Sequence, residues 1–228
     1  MTGGGHAAGR HAWRRPRHLL VRANGTWRGG TVIGVITLAV TGVSLIGAGY
    51  GTPGPPPVVE SSGTAGMSGT APQAPASTPV RLSIDAIGVE APVERVDVDR
   101  DGILVPPSLR EPSQVGWYQR GPTPGEAGNA VIVGHVDTVG RGPAVFYLLG
   151  RLKPGDGIGV TRRDGSTVTF QVDGVRLYPK RAFPASLVYG PAERSQLRLI
   201  TCGGTFDRAT STYSGNTVVT ATMVTWRP

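Results

Sequence analysis

Residues 197–224 read LRLITCGGTFDRATSTYSGNTVVTATMV. An alternating apolar run leads into Cys202, Gly203 and Gly204 follow it, Arg208 comes soon after, and a second Val- and Thr-rich run closes the stretch. Alternation with β-branched residues is the mark of half-buried strands, and the polar, Gly-containing interval between the runs supplies the turn. Cys202 is the only cysteine in 228 residues. A thiol at a strand end is either a small buried hydrophobe or a reactive group.

Working outward, the same pattern extends back to about residue 80. "VRLSI", "APVERV", "NAVIVGHV", "DGIGVTRR", "STVTFQVDGVRLY", "QLRLITC" and "TVVTATMVTW" all read as strands, and "RDG" at Arg163–Gly165 is a hairpin signal between two of them. Only "AVFYLLGRL", residues 144–152, has a helical look, and it is short. Seven or eight strands at this spacing predict an all-β domain over 80–228, a small closed barrel or a sandwich. A unit of this length buries roughly 68–70% of its unfolded surface, enough for a real core.

The part before residue 80 has a different character. No acidic residue precedes Glu60, but Arg10, Arg14, Arg15, Arg17, Arg22 and Arg28 do, and they carry most of the formal +8. These arginines sit in a Gly-rich tail with no folding pattern, so nucleic-acid binding is not the reading despite the basic pI. From Gly29 to Val59 there is no charged residue. About 18 residues of helix span roughly 27 Å, the hydrocarbon thickness of a bilayer. The arginines on its N-terminal side set the orientation, tail in the cytoplasm and remainder outside. Gly47-Ala48-Gly49 offers small residues for signal-peptide processing, but the long basic region and the length of the apolar run favour an uncleaved anchor. Residues 51–79 hold seven prolines and few large apolar side chains, the composition of a disordered linker. The expected organisation is therefore a cytoplasmic tail (1–28), a transmembrane anchor (29–50), a linker (51–79) and an exported domain (80–228).

Three of the four histidines, His6, His11 and His18, lie in the tail, so the exported domain holds one histidine and one cysteine. His135 closes "NAVIVGHV" and Cys202 closes "QLRLITC", each at the end of an apolar strand. One His and one Cys do not make a structural zinc site, and a lone cysteine forms no intrachain disulfide. An unpaired thiol kept in an exported domain flags reactivity. Nucleophilic catalysis needs the thiolate, and a free thiol with a pKa of about 8.5 requires a base or a cationic partner. His135 fits that role and that of acid to the leaving amine. Arg208 offers a permanent cation for a tetrahedral oxyanion, and the backbone after Cys202 offers amides. Asp137, two residues after His135, is a candidate to orient the imidazole or to cap a turn. Thr201 alternates with Cys202 and faces away from it, with its backbone, like that of Gly203, as cleft lining.

"LITC" ending a strand, "VIVGH" ending an earlier one and an arginine after the cysteine resemble the sortases, the cysteine transpeptidases of Gram-positive surfaces. "TCGGTFDR", the following Tyr and Asn, and "GHVDT" look most like the class F group of actinobacteria. The resemblance covers about residues 80–228 and implies an eight-stranded sortase β-barrel with one or two short helices. It implies Cys202 as nucleophile, His135 as acid/base and an arginine as third member. Relatives carry that arginine near the start of the last strand, where this chain reads "STYSGNTVV" with Asn216, so Arg208 is the nearest candidate. Also implied are cleavage of an LPXTG-like sorting motif in exported proteins, transfer to an amine of a peptidoglycan precursor, and no metal or organic cofactor. The segment 177–195 would form the wall that reads the sorting peptide. The rivals are an anchored β-sandwich adhesin, which needs no reactive thiol, and an L,D-transpeptidase, whose Ser-His-Gly-Cys run is absent here. A monomer that binds no nucleic acid completes the expectation.

Overall fold

The structure, a computed structural model, describes residues 54–58, 60–62, 73–138 and 141–228. The expected tail and anchor lie outside the described residues, and among those described no helix is long and apolar enough to cross a membrane.

Eight strands carry the fold: β1 (Pro79–Ile84), β2 (Val89–Val96), β3 (Val115–Tyr118), β4 (Gly128–Gly134), β5 (Gly157–Arg162), β6 (Thr167–Pro179), β7 (Ser195–Asp207) and β8 (Thr212–Arg227). They run laterally in the order β6-β8-β7-β4-β3-β2-β1-β5, and β5 pairs with β6 to close the sheet into a barrel. Two neighbouring pairs, β2 with β3 and β4 with β7, are parallel, and the rest are antiparallel. Closure removes the unpaired edges that a sandwich would leave. The sandwich alternative therefore gives way to an eight-stranded barrel.

Alternation sends one set of side chains inward from every strand. Leu82, Ala91, Trp117, Ile132, Val160, Phe170, Leu199 and Val219 belong to one continuous core. Each fully buried aliphatic or aromatic side chain there stabilises by roughly 1.5–3 kcal/mol. A second, smaller cluster lies on the outer face of β4, β7 and β8, where Val131, Val133, Ile200 and Val218 are covered by Leu104 and by Val188 of the short helix α1 (Ala185–Tyr189). The alternation of β6 changes phase midway. Val172 and Val175 are both buried, because a register shift between Ala221, paired with Val172, and Thr220, paired with Gly174, leaves Asp173 as the extra residue of a bulge. Beyond the bulge Leu177 takes the inner face and Tyr178 the outer.

Several local expectations change. "AVFYLLGRL" makes turns and one 3-10 turn over Leu149–Arg151, not a helix. Its first amides are taken by tertiary acceptors: Ala144 donates to the carbonyl of Val136, Val145 to Pro112 and Phe146 to His135. β3 was not legible, being four residues long with Gly116 packed so closely that a Cβ would meet Val96 at 2.5 Å. The 51–79 segment, expected to be disordered throughout, touches the barrel wherever it is described. Ala74 is buried and donates to the Gly125 carbonyl at 2.9 Å, and the buried Arg162 donates to the Pro75 carbonyl at 2.6 Å. Ser61–Ser62 pairs with Val175 and Gly174 of β6. Apolar and carbonyl groups of a polar, Pro-rich segment find matching crevices and donors that composition alone does not display.

Candidate active site

The parallel β4–β7 ladder pairs Ser195 with Gly128 and ends with Ile200 against Val133. Cys202 and His135 each lie two residues beyond this last pair, His135 just past the end of β4 at Gly134. Ile200 and Val133 face the outer cluster, and residues two apart in a strand share a face. Across the β7–β8 ladder Cys202 pairs with Asn216, and across β8–β6 Asn216 pairs with Tyr178. Directly opposed antiparallel residues also share a face. One outward row thus runs Cys202, Asn216, Tyr178 over three strands, and His135 follows the end of β4, the strand beside β7.

His135 is half-buried and its Nε2 lies 2.7 Å from the Pro107 carbonyl. A carbonyl only accepts, so Nε2 carries the hydrogen of this bond and Nδ1 is the nitrogen left for proton transfer. The backbone carbonyl of His135 is held by the Phe146 amide. Cys202 is a free thiol and partly exposed. Burial pushes its pKa up, the Lys180 ammonium pulls it down, and the Asp137 carboxylate pushes it up again. Asn216 is fully buried, and neither its amide nitrogen nor its amide oxygen has a hydrogen-bond partner among the described residues.

Among the described residues no hydrogen bond joins Asp137 to the imidazole. It accepts instead from the Tyr213 hydroxyl in a short hydrogen bond, which ties the β7–β8 hairpin to the loop after His135. Burial first, and then this bond to Asp137, hold the Tyr213 phenol protonated well beyond its ordinary range. Thr201 faces inward, opposite Thr217, with its hydroxyl unpartnered and buried. Gly203 is required by close approach, since a Cβ there would meet Thr217 Oγ1 at 2.5 Å. Gly204 has a φ of +81° and introduces the bulge between Gly203 and Phe206.

Arg208 is the expected residue that the structure leaves outside. It sits exposed in the turn that joins β7 and β8, two paired residues beyond the bulge. The cation linked electrostatically to the thiol is Lys180, which follows Pro179 at the end of β6, where Pro179 pairs with Gly215. Lys180, Tyr213 and Pro107 were missed by sequence reasoning. Lys180 and Pro107 sit in Pro-punctuated segments with no motif. Tyr213 left only its appearance in the resembling pattern as a signal. In the 177–195 segment, Phe183, Val188 and Tyr189 pack on the outer cluster, and Asn129 Nδ2 donates to the Gly190 carbonyl at 2.8 Å.

A cleft of about 310 Å³ opens at the barrel mouth on the inner side of this row, lined by Cys202, Thr201, Gly203, Thr217, Leu177 and Tyr147, and by Pro55–Val58. Among the described residues no group of three or more His, Cys, Asp and Glu stands together to hold a metal ion. A partly exposed thiol beside a cation and a cleft, with an imidazole at the end of the neighbouring parallel strand, has the parts for acyl transfer through sulfur.

A family profile described as "Sortase domain" matches residues 82–224. Among solved structures, the chain is similar to sortase A from Corynebacterium diphtheriae, with a TM-score of 0.50 at 21% identity over 67% of this chain and 63% of that one. It is also similar to sortase C-1 from Actinomyces oris, with a TM-score of 0.49 at 22% identity over 64% of this chain and 75% of that one. The chain thus spans less than two thirds of the Corynebacterium protein's length. A search of curated protein sequences gives no match.

Proposed function

Because the chain belongs to the sortase family, we propose that it is a cysteine transpeptidase, of the class F type, that cleaves an LPXTG-like sorting motif in exported proteins. The observation that carries this reading is the parallel β4–β7 register, which ends with Ile200 against Val133, each two residues before Cys202 and His135. The Cys202 thiolate attacks the scissile carbonyl, a C–S bond forms, and the C–N bond breaks as His135 gives a proton to the leaving amine. An amine of a peptidoglycan precursor then attacks the thioacyl carbon, gives its proton to His135, releases the thiolate as the C–S bond breaks and leaves the protein joined to the wall through a new amide.

Lys180, and not Arg208, supplies the site's permanent positive charge in this proposal. It is the group that favours the thiolate against the cost of burial. Asp137 and Tyr213 hold the loop that carries His135. The apolar stretch 29–50 anchors the chain, with the basic tail in the cytoplasm and the barrel outside.

The test is intact-mass analysis of the full chain incubated with a sorting-motif peptide library and amine acceptors. An acyl adduct on Cys202, chased into a peptide–amine product and lost in His135→Ala, is expected. No adduct and no ligated product across the library would sink the reading.

A further inference from the structure

α1 (Ala185–Tyr189) has five residues, too few to hold together as an isolated helix. Its last turn also lacks a bond. The Leu187 carbonyl would take the amide four residues on, but that residue is Pro191, which has none. Two buried side chains on the strands beneath answer instead. Arg198 of β7 donates from Nε to the Leu187 carbonyl at 3.2 Å. Asn129 of β4 donates from Nδ2 to the same carbonyl at 3.4 Å and to the Gly190 carbonyl at 2.8 Å. The rest of the Arg198 guanidinium bonds the Leu197 carbonyl and Gln196 Oε1.

Arg198 makes these bonds at a cost. It is 4% exposed, and burial pulls its pKa down to about 10, so that it stays charged at neutral pH. Among the described residues no carboxylate forms an ion pair with it, and Asp173 attracts it from farther off. A buried charge without a close partner lowers stability where an apolar side chain of similar size would not. What the charge achieves is the placement of α1. Cys202 faces outward on β7, as does Ile200 two residues before it, and Ile200 lies in the outer cluster with Val188 of α1. A peptide that brings its carbonyl to Cys202 along the outer face therefore runs beside α1, where Leu187 is left exposed.

We propose that Arg198 and Asn129 are positioning residues that tether α1 beside the outer face of β7 and so set how tightly the acyl part of the substrate peptide is held. The effect on the peptide rests on the transpeptidase reading, whereas the tether does not.

The experiment uses the full chain in detergent, with Arg198→Met and Arg198→Lys as separate variants. Methionine keeps much of the volume and removes the donors, and lysine keeps the charge and one donor group. The first measurement is hydrogen exchange of the amides of residues 185–190 by mass spectrometry. Arg198→Met is expected to speed it about 2–10-fold, the factor that goes with losing one hydrogen bond, and Arg198→Lys to speed it less. The second measurement is steady-state transfer with peptide and amine varied separately. The peptide KM is expected to rise in the same order, while kcat and the amine KM hold, since neither variant touches the reacting atoms. Unchanged exchange in both variants overturns the tether. Faster exchange with an unchanged peptide KM, or with a loss confined to kcat, overturns the role in peptide binding. If Arg198→Met does not fold, Arg198→Lys decides by the same two measurements. Absence of transfer in every chain, with faster exchange in the variants, overturns the transpeptidase reading while leaving the tether supported.

Discussion

Replacing Arg208 with alanine tests which cation serves the thiol. Arg208 lies beyond the bulge and two further residue pairs from Cys202, about 15 Å or more at roughly 3.3 Å per residue. A unit charge at that range in water contributes about 0.3 kcal/mol before screening, and a Debye length of about 8 Å brings it below about 0.1 kcal/mol. Arg208→Ala should therefore leave kcat/KM within about 1.5-fold of the parent, far from the 10²–10³-fold loss typical of removing an oxyanion donor. Lys180→Met should behave differently. Lys180 lowers the thiol pKa, so its removal raises that pKa further and leaves less thiolate at neutral pH. Activity at pH 7 should therefore fall, with part of the loss recovered as pH increases. Lys180→Arg should stay near the parent. The assay is steady-state cleavage of a fluorogenic sorting-motif peptide from pH 6 to 10, with thermal midpoints measured alongside. A 10²-fold loss in Arg208→Ala with an unchanged midpoint would refute the argument and return the third role to the hairpin.

Cys202→Ala should abolish cleavage and transfer while shifting the thermal midpoint little, since a small, partly exposed residue is replaced by a slightly smaller one; residual turnover would exclude the thiol as nucleophile. Because burial raises the Cys202 pKa, the alkylation rate should keep climbing past the range where a free cysteine levels off, and a plateau below pH 8.5 would contradict that. Tyr213→Phe removes the donor to the half-buried Asp137 and should cost about 0.5–1.5 kcal/mol in urea unfolding, the net worth of one hydrogen bond; an unchanged midpoint would show that this tie does not hold the hairpin. Protease added to intact cells stripped of wall should release a folded barrel fragment, and full protection would reverse the proposed orientation.

The barrel was legible because its strands alternate cleanly and carry Val, Ile and Thr, and because turn residues separate them. Seven of the eight strands could be read this way. β3 could not, because four residues give too short a pattern and Gly116 interrupts it. The false helix at 144–152 shows the opposite failure. An apolar run with helical spacing was recruited amide by amide to neighbouring carbonyls, and tertiary hydrogen bonds outweighed a weak local preference. The Pro-rich 51–79 segment was unreadable for a third reason. Its docking relies on a crevice and on one valine, and composition counts both as negligible.

The site divides along a related line. Cys202 and His135 stood out because each is the single residue of its chemistry in the exported domain, at the end of an apolar strand. Their pairing comes from the parallel register of β4 and β7, whose strands are remote in sequence. The cation could not be found by scanning forward from the cysteine. Every residue shortly after Cys202 goes out along the hairpin and away from the row, so an arginine found there is carried off from the thiol. Proximity in a barrel is lateral. From Cys202 it passes through Asn216 on β8 to Tyr178 on β6, and then to Lys180 just past the strand end. Even that path depends on the extra residue at Asp173, because without the bulge the alternation of β6 would turn Tyr178 inward and Leu177 outward. A single bulge some thirty residues before the cysteine thus decides which face the end of β6 presents to the thiol, and no motif around Cys202 contains that information.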